Sequence, residues 1–200
     1  MTATILLHGT RLSGHVHRVE LLLHMLGLSF ELVPAPAEVR AAPAFRALNP
    51  LGQIPVLQDG DLTMADSNAM LVYLCKRYAP GSAWLPEDAA GAAAVQRWLS
   101  LAAGELAFGP ASARAIALWG APGDPERAGA IAARLLAFMD AHLARHAFLA
   151  AGHATIADLA CYGYVAHAPE GHISLAPFGH VRAWLARVEA LPGFVPMPAS

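Results

Sequence analysis

Strand-like and helix-like patterning alternate through the first eighty residues of this chain, and only the helical kind continues beyond them. Thr4–His8 is a short apolar run compatible with a strand, and the turn-rich loop Gly9-Thr10-Arg11-Leu12-Ser13-Gly14 follows it. From His15 onward Val16, Val19, Leu22, Leu23 and Leu26 recur on one helical face, with Gly27 where a C-terminal cap belongs. Ser29–Val33 reads as a second strand. Strand, crossover helix, strand requires a parallel pair with a right-handed connection. Pro34, Pro36 and Pro43 mark the next stretch as a loop holding one irregular helical turn, and Phe45–Leu48 as a short helix that ends before Asn49-Pro50. Ile54–Gln58 and Leu62–Met64 read as a third and fourth strand about an Asp59-Gly60 hairpin turn, followed by a helix over Ser67–Tyr78. The expected product is a mixed sheet with helices packed on it.

Ala79–Asp88, with two prolines and a glycine, has the character of a linker. The reading therefore divides the chain into an α/β domain over 1–79, a linker over 80–88 and an all-helical domain over 89–200. Helices are expected at Ala89–Phe108, Pro125–His146, Ile156–His167 and Phe178–Ala190. Asp124-Pro125-Glu126 supplies an N-cap, a proline at the first helical position and an acid in the first turn. Thr155 and Asp158 have the spacing of a capping box, a structural device with no part in chemistry.

At 56% hydrophobic and 14% charged, the 200-residue chain lies far from the disordered class. A net charge of −2 without a basic stripe argues against nucleic acid as a partner. The apolar start Met1–Leu7 lacks the basic flank and cleavage site of a signal peptide, and His24 interrupts Leu21–Leu28, which is too short to span a bilayer. The expectation is a cytoplasmic protein with no membrane association, in which Cys75 and Cys161 are buried free thiols. His15, His17 and His24 do not have zinc-site spacing, so no metal is expected. His17 and Arg18 read as solvated residues of a first helical turn, and His142 and His146 as residues in solvent or in packing.

Four local features then line up: Leu12-Ser13-Gly14-His15-Val16-His17-Arg18-Val19 after the first strand, Asn49-Pro50-Leu51-Gly52-Gln53-Ile54-Pro55 before the third, Asp66-Ser67-Asn68 at a helix start, and Thr155–Asp158 in the helical half. In this order and spacing they resemble the cytosolic glutathione S-transferase family across nearly the whole chain, and within it the serine-type branches, zeta-like or related bacterial ones. The resemblance implies a thioredoxin-like N-terminal domain that binds glutathione as co-substrate, a helical C-terminal domain that forms a second-substrate pocket, and a homodimer, for which the sequence itself offers only apolar and aromatic residues such as Met64, Met70 and Tyr73, expected near an interface. It also implies a cis Ile54–Pro55 bond that exposes the Ile54 backbone to the cysteinyl part of the tripeptide. Asp66 and Ser67 would hold the γ-glutamyl end, Arg40 and Gln53 the glycyl end, and Leu12, Phe108, Arg114 and Trp119 would wall the second pocket.

A hydroxyl at position 13 that hydrogen-bonds a thiolate lowers the thiol's pKa, helped by the positive end of the following helix. Ser13 is thus expected to act as a donor and not as a covalent nucleophile, with His15 as a second group near the sulfur. The bland alternative is that Ser13 only caps the helix. The expected reaction is transfer of the glutathione thiolate to a small hydrophobic electrophile. Glutathione-dependent cis-trans isomerisation of the maleylacetoacetate type and a non-catalytic binding module remain alternatives. Reduction of disulfides is disfavoured, since the loop after the first strand has no cysteine.

Overall fold

The computed structural model describes residues 4–200; residues 1–3, the beginning of the apolar Met1–Leu7 stretch, lie outside the described residues. The described residues form two compact units, one of residues up to Pro80 together with Pro192–Pro198, the other of Gly81–Leu191 with Ala199–Ser200.

The first unit is a four-stranded mixed sheet in the order β2-β1-β3-β4, from β1 (Ile5–Gly9), β2 (Phe30–Pro34), β3 (Val56–Asp59) and β4 (Leu62–Ala65). β1 pairs parallel with β2, Ile5 opposite Phe30, and antiparallel with β3, Leu7 opposite Leu57. The parallel pair is joined by α1 (Gly14–Met25), as expected of the crossover. Alternate residues Ile5, Leu7 and Gly9 of β1 are buried, and Val16, Val19, Leu22 and Leu23 of α1 are buried as well. The third strand begins two residues later than patterning suggests. Pro55 cannot donate to the ladder, so pairing starts at Val56; the Ile54–Pro55 bond is cis, as the resemblance implies. The proline-rich stretch folds into two short helices, α2 (Ala37–Ala41), where a loop with one irregular helical turn was expected, and α3 (Pro43–Leu48), which starts two residues before the expected short helix Phe45–Leu48. Pro36 and Pro43 sit at the cap of the one and the first position of the other, where a missing N–H costs no hydrogen bond. α4 (Ser67–Tyr78) has the expected bounds. Met70, expected near an interface, is fully buried on α4 and belongs to the core.

The second unit is helical throughout: α5 (Ala89–Ala103), a π-helical segment (Ala107–Ala111), α6 (Ser112–Trp119), α7 (Pro125–Leu143), α8 (Ile156–Ala166), a 3-10 turn (Ala168–Gly171) and α9 (Gly179–Glu189). The single helix expected over Ala89–Phe108 stops at Ala103, because Gly104 leaves helical geometry at φ −102, ψ −101. α6 has no counterpart in the sequence reading. The capping box at α8 is present in full. Asp158, with no exposed surface, accepts from the Thr155 and Leu149 amides at 2.9 Å each, and from the Trp184 indole at 2.9 Å. Cys75 and Cys161 are buried and neither is in a disulfide among the described residues, and burial pushes the Cys75 thiol up to about 12. No helix of the described residues is long and apolar enough to cross a membrane.

Candidate active site

Two helix N-termini of the first unit are tied together through one side chain. Ser13 is the N-cap of α1: its backbone is extended and its Oγ accepts from the Val16 amide at 3.4 Å. Capping uses an acceptor lone pair, so the hydroxyl proton of Ser13 is still available to donate. The capping reading and the thiolate reading of Ser13 are therefore compatible. On α4 the N-cap is Asp66, whose carboxylate accepts from the Ala69 amide at 2.8 Å and whose φ of 72 lies in the left-handed region disfavoured for a residue with a Cβ. Such a conformation persists only where surrounding structure over-determines it, and it gathers at ligand clamps.

Arg18 joins the two ends. Expected in solvent, it is 1% exposed, and its guanidinium donates to the Ser67 hydroxyl at 3.2 Å and to the Asn68 side-chain carbonyl at 2.8 Å. His17, also expected in solvent, is 2% exposed, and its Nε2–H donates to the Val195 carbonyl at 2.8 Å. Neither position could be read from local sequence, because the partners lie 49, 50 and 178 residues away. His15 is half-buried, and burial first and the Arg18 charge second push its imidazole down to about 3. Near neutral pH it is an uncharged ring.

The loop before β3 is shaped by Asn49, 5% exposed. Its side chain donates to the Gln53 carbonyl at 2.9 Å and accepts from the Leu51 amide at 3.2 Å, leaving the Gln53 side chain exposed. Asn49 is a supporting residue that sequence reasoning passed over. The signal that could have found it is an Asn before Pro-Leu-Gly, a residue type that bonds its own backbone in turns. α2 passes against this loop: the Arg40 carbonyl is 3.4 Å from where a Cβ on Gly52 would stand. The Nε of Arg40 is buried with no hydrogen-bond partner among the described residues. Leu12 is half-buried on the loop ahead of α1.

The remaining predicted residues lie in the helical unit. Phe108 is 66% exposed on the π-helical segment and Trp119 is 55% exposed at the end of α6. Arg114, 1% exposed, pairs with Glu170 through its Nε and has its guanidinium 5.1 Å from the centre of the Trp119 ring. Its charge is engaged inside that unit. His142 and His146 stack on each other at 4.1 Å, with His142 edge-on to the buried Trp98, which is a packing role.

Family models described as the glutathione S-transferase N-terminal and C-terminal domains match residues 7–82 and 124–192. The chain is 33% identical to glutathione S-transferase 3 of Zea mays, over 98% of this chain and 96% of that protein. Among solved structures it is similar to a glutathione S-transferase from Pseudomonas fluorescens Pf-5, at TM-score 0.91 and 30% identity over 98% and 99% of the two chains. It is also similar to the theta class glutathione S-transferase of Xanthomonas axonopodis pv. citri, crystallised with glutathione bound, at TM-score 0.83 and 30% identity over 96% and 95%.

Proposed function

The chain belongs to the glutathione S-transferase family, and from that premise we propose that it transfers the thiolate of glutathione to a small hydrophobic electrophile, with Ser13 as the donor that stabilises the sulfur anion. A free thiol titrates near 8.5, so only about 3% of it is thiolate at pH 7. A Ser13 hydroxyl donating to the anion, with the positive end of α1 behind it, favours the charged form. Lowering the pKa by about one and a half units makes roughly half of the bound thiol reactive at that pH. The thiolate then forms a sulfur–carbon bond to the electrophile, and the leaving group departs with its electron pair. His15, neutral at that pH, follows Ser13 in the first turn of α1 and offers a second donor without adding charge.

The tripeptide is held from three sides. Ser67 and the amides opening α4 take the γ-glutamyl carboxylate, and Asp66 takes its ammonium group. The Ile54 backbone ahead of Pro55 pairs with the cysteinyl residue as an added strand would. Arg40 and Gln53 take the glycyl carboxylate, a role supported by the unpartnered Arg40 Nε. Leu12 of the first unit, and separately Phe108 and Trp119 of the second, are each proposed as apolar surface for the electrophile, and within the second unit Arg114 holds Trp119 in place. The serine-type assignment, a cytoplasmic location and a homodimer belong to the same reading, and light scattering of the purified protein tests the last. Transfer is favoured over isomerisation because the relatives carry transferase names.

The observation that carries the proposal is a hydroxyl that caps α1 with its proton free, on the helix that Arg18 ties to the start of α4. The thiolate absorbance of bound glutathione, titrated against pH in wild type and Ser13→Ala, tests it. The variant's titration midpoint is expected to rise by about one to two units and its turnover with an aromatic electrophile near neutral pH to fall roughly 10- to 100-fold. An unchanged midpoint removes Ser13 from the chemistry. Assay with a cis-enone diacid distinguishes isomerisation, which does not consume glutathione.

A further inference from the structure

Pro192–Pro198 belongs to the first unit although the whole of the helical unit precedes it in the chain. Two contacts seat this segment along α1. Toward the start of the helix, the buried His17 ring donates to the Val195 carbonyl at 2.8 Å. At its end, Gly193 runs so close that a Cβ would stand 3.1 Å from the Met25 Cα and 3.3 Å from the His24 carbonyl. Its φ of 80 excludes a larger residue a second time. Between them and the chain's end, Met197 is 4% exposed.

The same histidine closes the first turn of the helix. Its backbone amide donates to the Ser13 carbonyl at 2.9 Å, a stronger tie than the 3.4 Å contact from the Val16 amide to Ser13 Oγ. First turns of helices are where backbone hydrogen bonds open most easily. One residue thus carries a hydrogen bond to Val195 through its ring and another to Ser13 through its backbone.

We propose that Pro192–Pro198 is a brace for α1 and that His17 is the positioning residue through which it fixes Ser13. The functional part of this rests on the reading of Ser13 as the thiolate's donor; the brace itself does not. With the brace in place, the hydroxyl is held in one geometry before glutathione arrives, and the sulfur anion is stabilised without reordering the loop.

Three variants test it: His17→Phe, which keeps a ring and removes the donor; His17→Gln, whose side-chain amide can still donate; and Gly193→Ala at the other contact. Hydrogen exchange is followed in the ligand-free proteins at Val16, His17, Arg18, Phe194 and Val195, and the thiolate midpoint and kinetics are measured with glutathione. In His17→Phe and Gly193→Ala the five amides are expected to exchange about tenfold faster together. In His17→Phe the midpoint rises by about half a unit and kcat falls severalfold, while His17→Gln restores most of both. Wild-type exchange is informative by itself, should the variants fold poorly: common protection of the two segments supports the brace, and independent protection overturns it. Folded His17→Phe with unchanged exchange also overturns it. Faster exchange with an unmoved midpoint overturns the link to Ser13. If Ser13→Ala leaves the midpoint unmoved as well, the failure belongs to the reading of Ser13 and the brace stands.

Discussion

Asp158 shows at the scale of one residue how much a short motif can hold. Its carboxylate accepts from two backbone amides, the Thr155 hydroxyl and the Trp184 indole, all without exposed surface of its own. Replacing it by Ala strands several buried donors, each costing about 1–3 kcal/mol. Asp158→Ala is expected to lose about 3 kcal/mol or more of stability in urea denaturation while leaving the spectroscopic titration of any bound thiol unchanged in whatever protein remains folded. A loss under about 1 kcal/mol would deny the carboxylate this role. The motif was legible because a capping box is local, four residues with a known geometry. Arg18 and His17 were not. A charged or polar residue in a first helical turn is solvated unless something distant covers it, and here Ser67, Asn68 and Val195 do so. The same holds for Arg114, whose partner Glu170 is 56 residues on.

At the scale of elements, regular periodicity was read well and irregular helix was not. α4 and the βαβ opening follow from apolar spacing and from caps, and the starts of α7 and α8 from Asp124 and Thr155. α2 is too short for a period to register, and α3, expected from Phe45, starts at Pro43, because prolines that punctuate a sequence also suit the first positions of a helix. α6 was missed: the sequence reading ended its helix at Phe108, whereas the chain passes on through Gly109 and Pro110 as a π-helical segment. Gly109 and Gly171 permit backbones to meet here. A Cβ on Gly171 would lie 2.6 Å from the Arg114 amide nitrogen and 2.8 Å from the Ala113 carbonyl carbon, so the 3-10 turn rests directly on α6. Because the obstruction is backbone, no rotamer can relieve it. Gly171→Ala is expected to cost about 1–3 kcal/mol, read as a fall of roughly 2–12 °C in the melting temperature. A melting temperature within a degree of wild type would mean that the turn and α6 separate freely.

For the molecule as a whole, the fold class and the family could be read from the sequence, since four separated motifs had to agree in order and spacing. What was not legible is that Pro192–Pro198 is part of the first unit, a return with no pattern of its own. Global stability should carry the mark of Glu170. Burial alone would raise its pKa, but hydrogen bonds from His167, Ser200 and Arg114, with the Arg114 charge, outweigh it and bring the carboxyl from 4.5 to about 2. A carboxylate held below its unfolded value stabilises the fold above that value and ceases to do so as pH falls through the folded one. Its contribution is therefore present above about pH 4.5 and fades toward about pH 2. Urea denaturation between pH 5 and pH 3 is expected to show a shallower acid decline in Glu170→Gln than in wild type. Parallel curves would place the acid sensitivity elsewhere.

The late return of Pro192–Pro198 also has a consequence for biosynthesis. The sheet and α1 leave the ribosome well ahead of the segment that lies along α1, and every residue of Gly81–Leu191 must be translated in between. A nascent chain can assemble the strands early, yet α1 stays uncovered at Met25 and His17 until the whole of Gly81–Leu191 has been translated. The order of synthesis, and not the order of the elements in space, decides when this unit is complete.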